Sequence, residues 1–117
     1  MNREDFKKRT RDYALQVVHL VESLPADRIS HILGGQLLRA GTSVGANYRS
    51  SVRAKSRADF ISKMSVVEEE CDESLYWMEL LTNIGRVEPG QVEGLMKEGD
   101  EIIAIVVASI KTARERA

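Results

Sequence analysis

Apolar residues recur along this chain with helical spacing in four separate segments. In the first, Phe6, Tyr13, Val17, Leu20 and Leu24 follow one another at steps of three, four or seven, which draws a core stripe down one face of a helix. Pro25 ends that segment, and Ala26 and Asp27 supply a turn and a cap for the next. The second segment runs from about Arg28 to about Arg53. Leu37, Gly41, Val44, Tyr48 and Val52 share one of its faces, and Arg39, Thr42, Ala46, Arg49 and Arg53 share another. Gly34 and Gly35 interrupt the pattern, so a kink or a separate turn is expected before Gln36.

The third segment carries its stripe from Phe60 through Met64, Val67, Cys71, Leu75 and Met78 to Leu81. Ser56 is placed to cap it, with Asp59 in the capping-box position, and Gly85 stops it before the turn "VEPGQ". A fourth segment from about Gln91 to Arg114 turns Leu95, Ile102, Val106 and Ile110 inward. Ile103, Ile105 and Val107 extend its apolar face beyond what one bundle seam requires, which predicts burial against another subunit.

No strand alternation and no hairpin signal compete with this pattern. The expected fold is all-α: an antiparallel up-down-up-down four-helix bundle in one domain spanning residues 1–117. Helices of about 25 residues would be roughly 37 Å long. The composition agrees: 43% apolar residues with only 5% aromatic makes a mainly aliphatic core, and two prolines leave long helices uninterrupted. The single cysteine, Cys71, excludes an intrachain disulfide and fits a reducing compartment. No leader is visible, and the longest apolar run, "IIAIVVASI" at 102–110, is too short to span a membrane. A soluble, cytoplasmic protein is expected.

Charge adds a feature that the net value of −1 hides. From Arg28 to Arg57 the charged residues are Arg28, Arg39, Arg49, Arg53, Lys55 and Arg57, all basic, and the acidic "EEECDE" at 68–73 follows. This asymmetry predicts two neighbouring helices facing each other, with pairs that are individually weak. Arg49, Arg53 and Arg57 are also four apart, so a continuous helix would make them one stripe able to follow phosphates.

Candidate chemistry is sparse. A phosphate loop needs Lys-Ser/Thr after its last glycine, or a strand before a G-x-G-x-x-G turn; Gly45 is followed by Ala46-Asn47. Gly41 and Gly45 stand four apart on a helical stripe and instead let a neighbouring helix approach closely. A di-iron bundle site needs Glu three residues before His, which neither His19 nor His31 has. Cys71 lies on the apolar stripe as a structural thiol, without a neighbouring histidine. An arginine-lined pocket of the chorismate-mutase type would use Arg39, Arg49 and Arg53, yet the chain holds no partner pattern for it. No catalytic residue, metal or cofactor is expected.

"GGQLLRAGTSVGANYRSSVRAKSRADFISKMSVVEEECDESLYWMELL" closely resembles the bacterial four-helix-bundle family first noted as open reading frames in intervening sequences of 23S rRNA genes. The likeness extends to Leu24-Pro25 and to "VASIKTAR" at 107–114, and covers nearly the whole chain. It implies an up-down bundle assembled as a homopentamer. A more distant similarity is to the accessory variability protein of diversity-generating retroelements, a pentamer that binds nucleic acid and the reverse transcriptase. Gln36, Arg39, Ser43, Asn47 and Phe60 fall on positions that recur in the family. Ser50 stands where the family usually has glutamate, and Gly41 where alanine is common.

The function expected is that of a non-enzymatic homo-oligomer, a scaffold or adaptor for another protein or a ribonucleoprotein. Gly41, Gly45, Asn47, Ile103, Ile105 and Val107 are its candidate packing and assembly positions. The alternative is binding of RNA or DNA, or of a partner, through Arg39, Arg49, Arg53, Lys55 and Arg57, against which the slightly acidic total charge weighs.

Overall fold

A computed structural model describes residues 1–116. It contains four helices, α1 (Arg3–Glu22), α2 (Arg28–Val52), α3 (Arg57–Asn83) and α4 (Pro89–Glu115), and no strand among the described residues. Each start has a local cause. The Asn2 side chain accepts from the Asp5 amide at 2.8 Å, and Glu4 and Asp5 place negative charge at the positive end of α1. Asp27 caps α2 by accepting from both the amide and the hydroxyl of Ser30, each at 2.9 Å. Ser56 caps α3 as expected, at 3.0 Å from the Asp59 amide. The Asp59 carboxylate reaches one residue further back than a capping box would, to the Lys55 amide at 3.0 Å. Pro89 is the first residue of α4, where its missing N–H leaves no bond unmade, and the Gln91 side chain accepts from the Glu88 amide at 2.7 Å.

The expected break at Gly34-Gly35 is not there: α2 is continuous from Arg28 to Val52. Gly34 is buried against α1, where an added Cβ would lie 2.7 Å from a Leu24 methyl and 3.5 Å from Val21. The packing of the second helix on the first thus outweighs the helix cost of about 1 kcal/mol that each glycine brings. Gly85, at φ +77°, turns the chain after α3, a conformation that only glycine adopts without strain.

The helices form an antiparallel bundle 50 Å long and 21 Å across. Each packs along its neighbour in sequence, while α1 touches α4 least. That weaker seam is clamped by Arg9, which donates to Glu98 with two nitrogens, at 2.6 and 2.7 Å, and to Glu101 at 3.2 Å. The core follows the sequence stripes: Tyr13, Val17, Leu37, Val67, Met78 and Ile102 are fully buried. Phe6 meets Tyr48 edge-on, with ring centroids 4.6 Å apart.

One polar junction crosses this core. The Ser74 hydroxyl donates to the Cys71 carbonyl at 2.6 Å, so its oxygen accepts from the Tyr13 hydroxyl, 2.7 Å away. The Cys71 thiol donates to the carbonyl of Gly99 at 3.4 Å. Helices α1, α3 and α4 are thereby registered against one another by groups that are all satisfied. Gly99 has no room for a side chain: a Cβ would stand 2.7 Å from Leu75 and 2.9 Å from the Tyr13 oxygen.

Gly41 and Gly94 give contrasting predictions. A Cβ at Gly41 meets both Val17 methyls at 2.8 Å and the Val17 Cβ at 3.0 Å, and a β-branched side chain in a helix cannot swing clear. Gly41→Ala should therefore lower stability by about 1–3 kcal/mol. Gly94→Ala, with nothing within 4 Å of the new methyl, should raise it by about 0.4–1 kcal/mol. Urea denaturation of the two variants checks both signs.

Candidate functional site

The cations between Arg28 and Arg57 separate into three environments. Arg39 faces α3, where one of its nitrogens donates to Glu70 at 3.0 Å and another to Glu73, and its Nε donates to Gln36 at 3.3 Å. Glu73 also accepts from the Trp77 indole at 3.2 Å. The expected pairing of the basic and acidic helices is thus made at Arg39. Arg53 closes the end of α2, and Arg57 is already the first residue of α3, so the four-residue stripe of Arg49, Arg53 and Arg57 does not exist. The turn through Ala54 and Lys55 to the Ser56 cap breaks it. Lys55 and Arg57 are exposed beside that turn.

Arg49 and Arg53 face the other way, over a groove of about 500 Å³ between α1 and α2. Lys7 and Arg11 line the opposite wall, and Glu4 is the one acid in the lining. Lys7 is 3.4 Å from Glu4, an exposed pair and worth little. Among the described residues, no acid lies within 4 Å of Arg11, Arg49 or Arg53. The floor is made of small side chains: Thr10, Ala14, Thr42, Gly45 and Ala46. At Gly45 an added Cβ would lie 3.3 Å from the Thr10 hydroxyl and 3.4 Å from its carbonyl, so the glycine holds the two helices at contact distance beneath the cations. The Thr10 hydroxyl is turned inward, donating to the carbonyls of Phe6 and Lys7 at 3.1 Å.

Lys7 and Arg11 escaped the sequence reading. Their four-residue spacing is present in "KKRTR", but Glu4, Asp5 and Asp12 dilute its charge, and only the packing of α1 on α2 brings the two walls together.

The packing candidates are also placed. Gly41 and Gly45 both stand against α1. The Asn47 amide donates to the Ser43 carbonyl within its own helix at 2.8 Å. The extra apolar width of α4 is largely internal: Ile103 and Ile105 are half-buried against the core, and Val107 alone of the three is exposed. A stripe wider than one seam is filled here by the flanks of a four-helix core.

A family model described as the 23S rRNA-intervening sequence protein matches residues 3–108. The chain belongs to that family. A crystal structure of a protein of unknown function from the S23 ribosomal protein family of Bacteroides thetaiotaomicron is similar throughout. It shares 34% identity, covers 90% of this chain and 97% of its own, and superimposes with a TM-score of 0.85. No curated protein sequence matches the chain.

Within this member of the 23S rRNA-intervening sequence family, no three His, Cys, Asp or Glu side chains among the described residues are grouped to hold a metal ion. No helix among them is long and apolar enough to cross a membrane. Cys71 is fully buried, and burial pushes its thiol up to about 12. The thiol contributes stability in full below its ordinary value of 9.0, and that stability is lost as pH rises towards 12. A disulfide exchange reagent should accordingly fail to modify native protein at pH 8 and should titrate one thiol per chain after denaturation. Rapid modification of the native protein would contradict the buried junction.

Proposed function

We propose that this protein is a non-catalytic, self-assembling bundle that serves in the cytoplasm as a scaffold or adaptor for another protein or a ribonucleoprotein. One observation carries the reading: of the nine large apolar side chains left in solvent among the described residues, five lie on the stretches of α2 and α3 that run towards one end of the molecule. Ile29, Ile32 and Leu38 in the first half of α2 and Tyr76 and Ile84 towards the end of α3 are each at least 37% exposed. The antiparallel course of the two helices puts these stretches at the same end, where Arg86 bonds Asp27 at 3.2 Å. Tyr76 stacks edge-on against half-buried Trp77, which widens the patch. Scattered single hydrophobics need no partner, whereas several along one pair of neighbouring helices suit a protein contact.

A second copy is the simplest occupant, since a specific interface needs only about 800 Å² from each partner. The five-fold ring implied by the family resemblance is the assembly we favour. A lone, buried cysteine suits the reducing conditions of the cytoplasm.

Native mass spectrometry at micromolar concentration should find a homo-oligomer of five chains. Ile32→Asp combined with Tyr76→Asp should give monomers of unchanged helical content by circular dichroism. A monomeric natural protein would overturn the proposal.

A further inference from the structure

We propose that the groove between α1 and α2 binds the phosphate backbone of a nucleic-acid strand, through Lys7 and Arg11 on one wall and Arg49 and Arg53 on the other. This goes beyond the scaffold reading and uses a different surface. Three features of the groove support it.

The cations are available. Arg11, Arg49 and Arg53 have no acid within ion-pair distance among the described residues, whereas Arg39 is held by Glu70 and Glu73. Their spacing also suits a strand. Lys7 and Arg11, like Arg49 and Arg53, are four residues apart on one helix face, about 6 Å along the axis. Two such rows facing each other across a floor of Ala14, Thr42 and Ala46 leave room for a chain of phosphates between them. Finally, no aromatic ring lines the groove; Phe6 and Tyr48 are buried against each other away from its lining. Base stacking is therefore absent, and the contacts are to the backbone without regard to sequence.

A second copy of the chain fits this half of the groove poorly. The hollow that holds Glu79, Glu93 and Asp100 opens on the α3–α4 face, extends from the opposite end of the bundle and includes Lys97. At the same end as the basic groove, the α3–α4 hollow carries Lys111 and Arg114 together with Glu68 and Glu115, a balanced set that offers the groove's cations no net acidic complement. An acidic peptide lacks an apolar anchor, since the floor offers nothing larger than threonine.

Fluorescence anisotropy with an eight-nucleotide single strand, as RNA and as DNA of the same sequence, tests the site. Four phosphate contacts predict that affinity falls about fifty-fold between 50 and 200 mM salt. Arg49→Ala with Arg53→Ala, and separately Lys7→Ala with Arg11→Ala, should each reduce that fall to about seven-fold. Arg39→Ala with Arg57→Ala should leave it unchanged, and equal behaviour of RNA and DNA is expected for backbone contacts. The proposal is overturned if neither strand binds at 50 mM salt, or if the Arg39/Arg57 variant alone loses salt dependence. It is equally overturned if the Arg49/Arg53 variant changes subunit number while binding nucleic acid as before, which would mean that a second copy occupies the groove.

Discussion

The close approach of α1 and α2 is the constraint on which the rest of the molecule depends. Gly34, Gly41 and Gly45 recur along one side of α2, and each meets a named group of α1: Leu24, Val17 and Thr10. Glycines within a helix are unfavourable by propensity, so contact with α1 must outweigh them. The helices then lie near enough that the surface between them becomes a shallow trough floored by small side chains. Long cationic side chains rise from its two walls. A larger residue at Gly45 would press on the Thr10 backbone and lift the helices apart at this point.

That geometry also sorts the charge. A cation on the α3 side of α2, such as Arg39, reaches the acids of α3 and is neutralised. Cations on the α1 side meet further cations, because the outward positions of the first helix near the groove are Lys7 and Arg11. The near-zero total therefore conceals a groove in which four cations face a single acid, and the local field there is what a polyanion would meet. Apolar exposure is sorted too, with the first half of α2 carrying Ile29, Ile32 and Leu38 and the second half carrying Arg49 and Arg53. One helix thus serves two surfaces of different chemistry.

Much of the fold was legible because helical periodicity reports burial directly. The stripes through Tyr13, Val67 and Ile102 are buried, and Ser56 caps the helix it was expected to cap. What failed depended on contacts distant in sequence or on a short local turn. Gly34-Gly35 reads as a break only when the contact of Gly34 with Leu24 is unknown. Arg49, Arg53 and Arg57 read as one stripe only until a two-residue turn and the Ser56 cap intervene. Ile103 and Ile105 looked surplus because single-helix periodicity cannot tell how far a four-helix core reaches round each member. The candidate site was half legible: its α2 wall was visible as a run of unbalanced arginines, while its α1 wall was masked by nearby acids in sequence, of which only Glu4 lines the groove.

The trough between α1 and α2 can take a polyanion only if its cations stay open to solvent in the protein's solution state. A crystal structure of the assembled protein at low salt tests it most directly. Arg11, Arg49 and Arg53 should face solvent there, with no protein carboxylate within ion-pair distance and with any neighbouring subunits seated on the Ile29–Ile32 and Tyr76–Ile84 surfaces. A neighbouring subunit filling the trough, with its acids paired to Arg49 and Arg53, would contradict it.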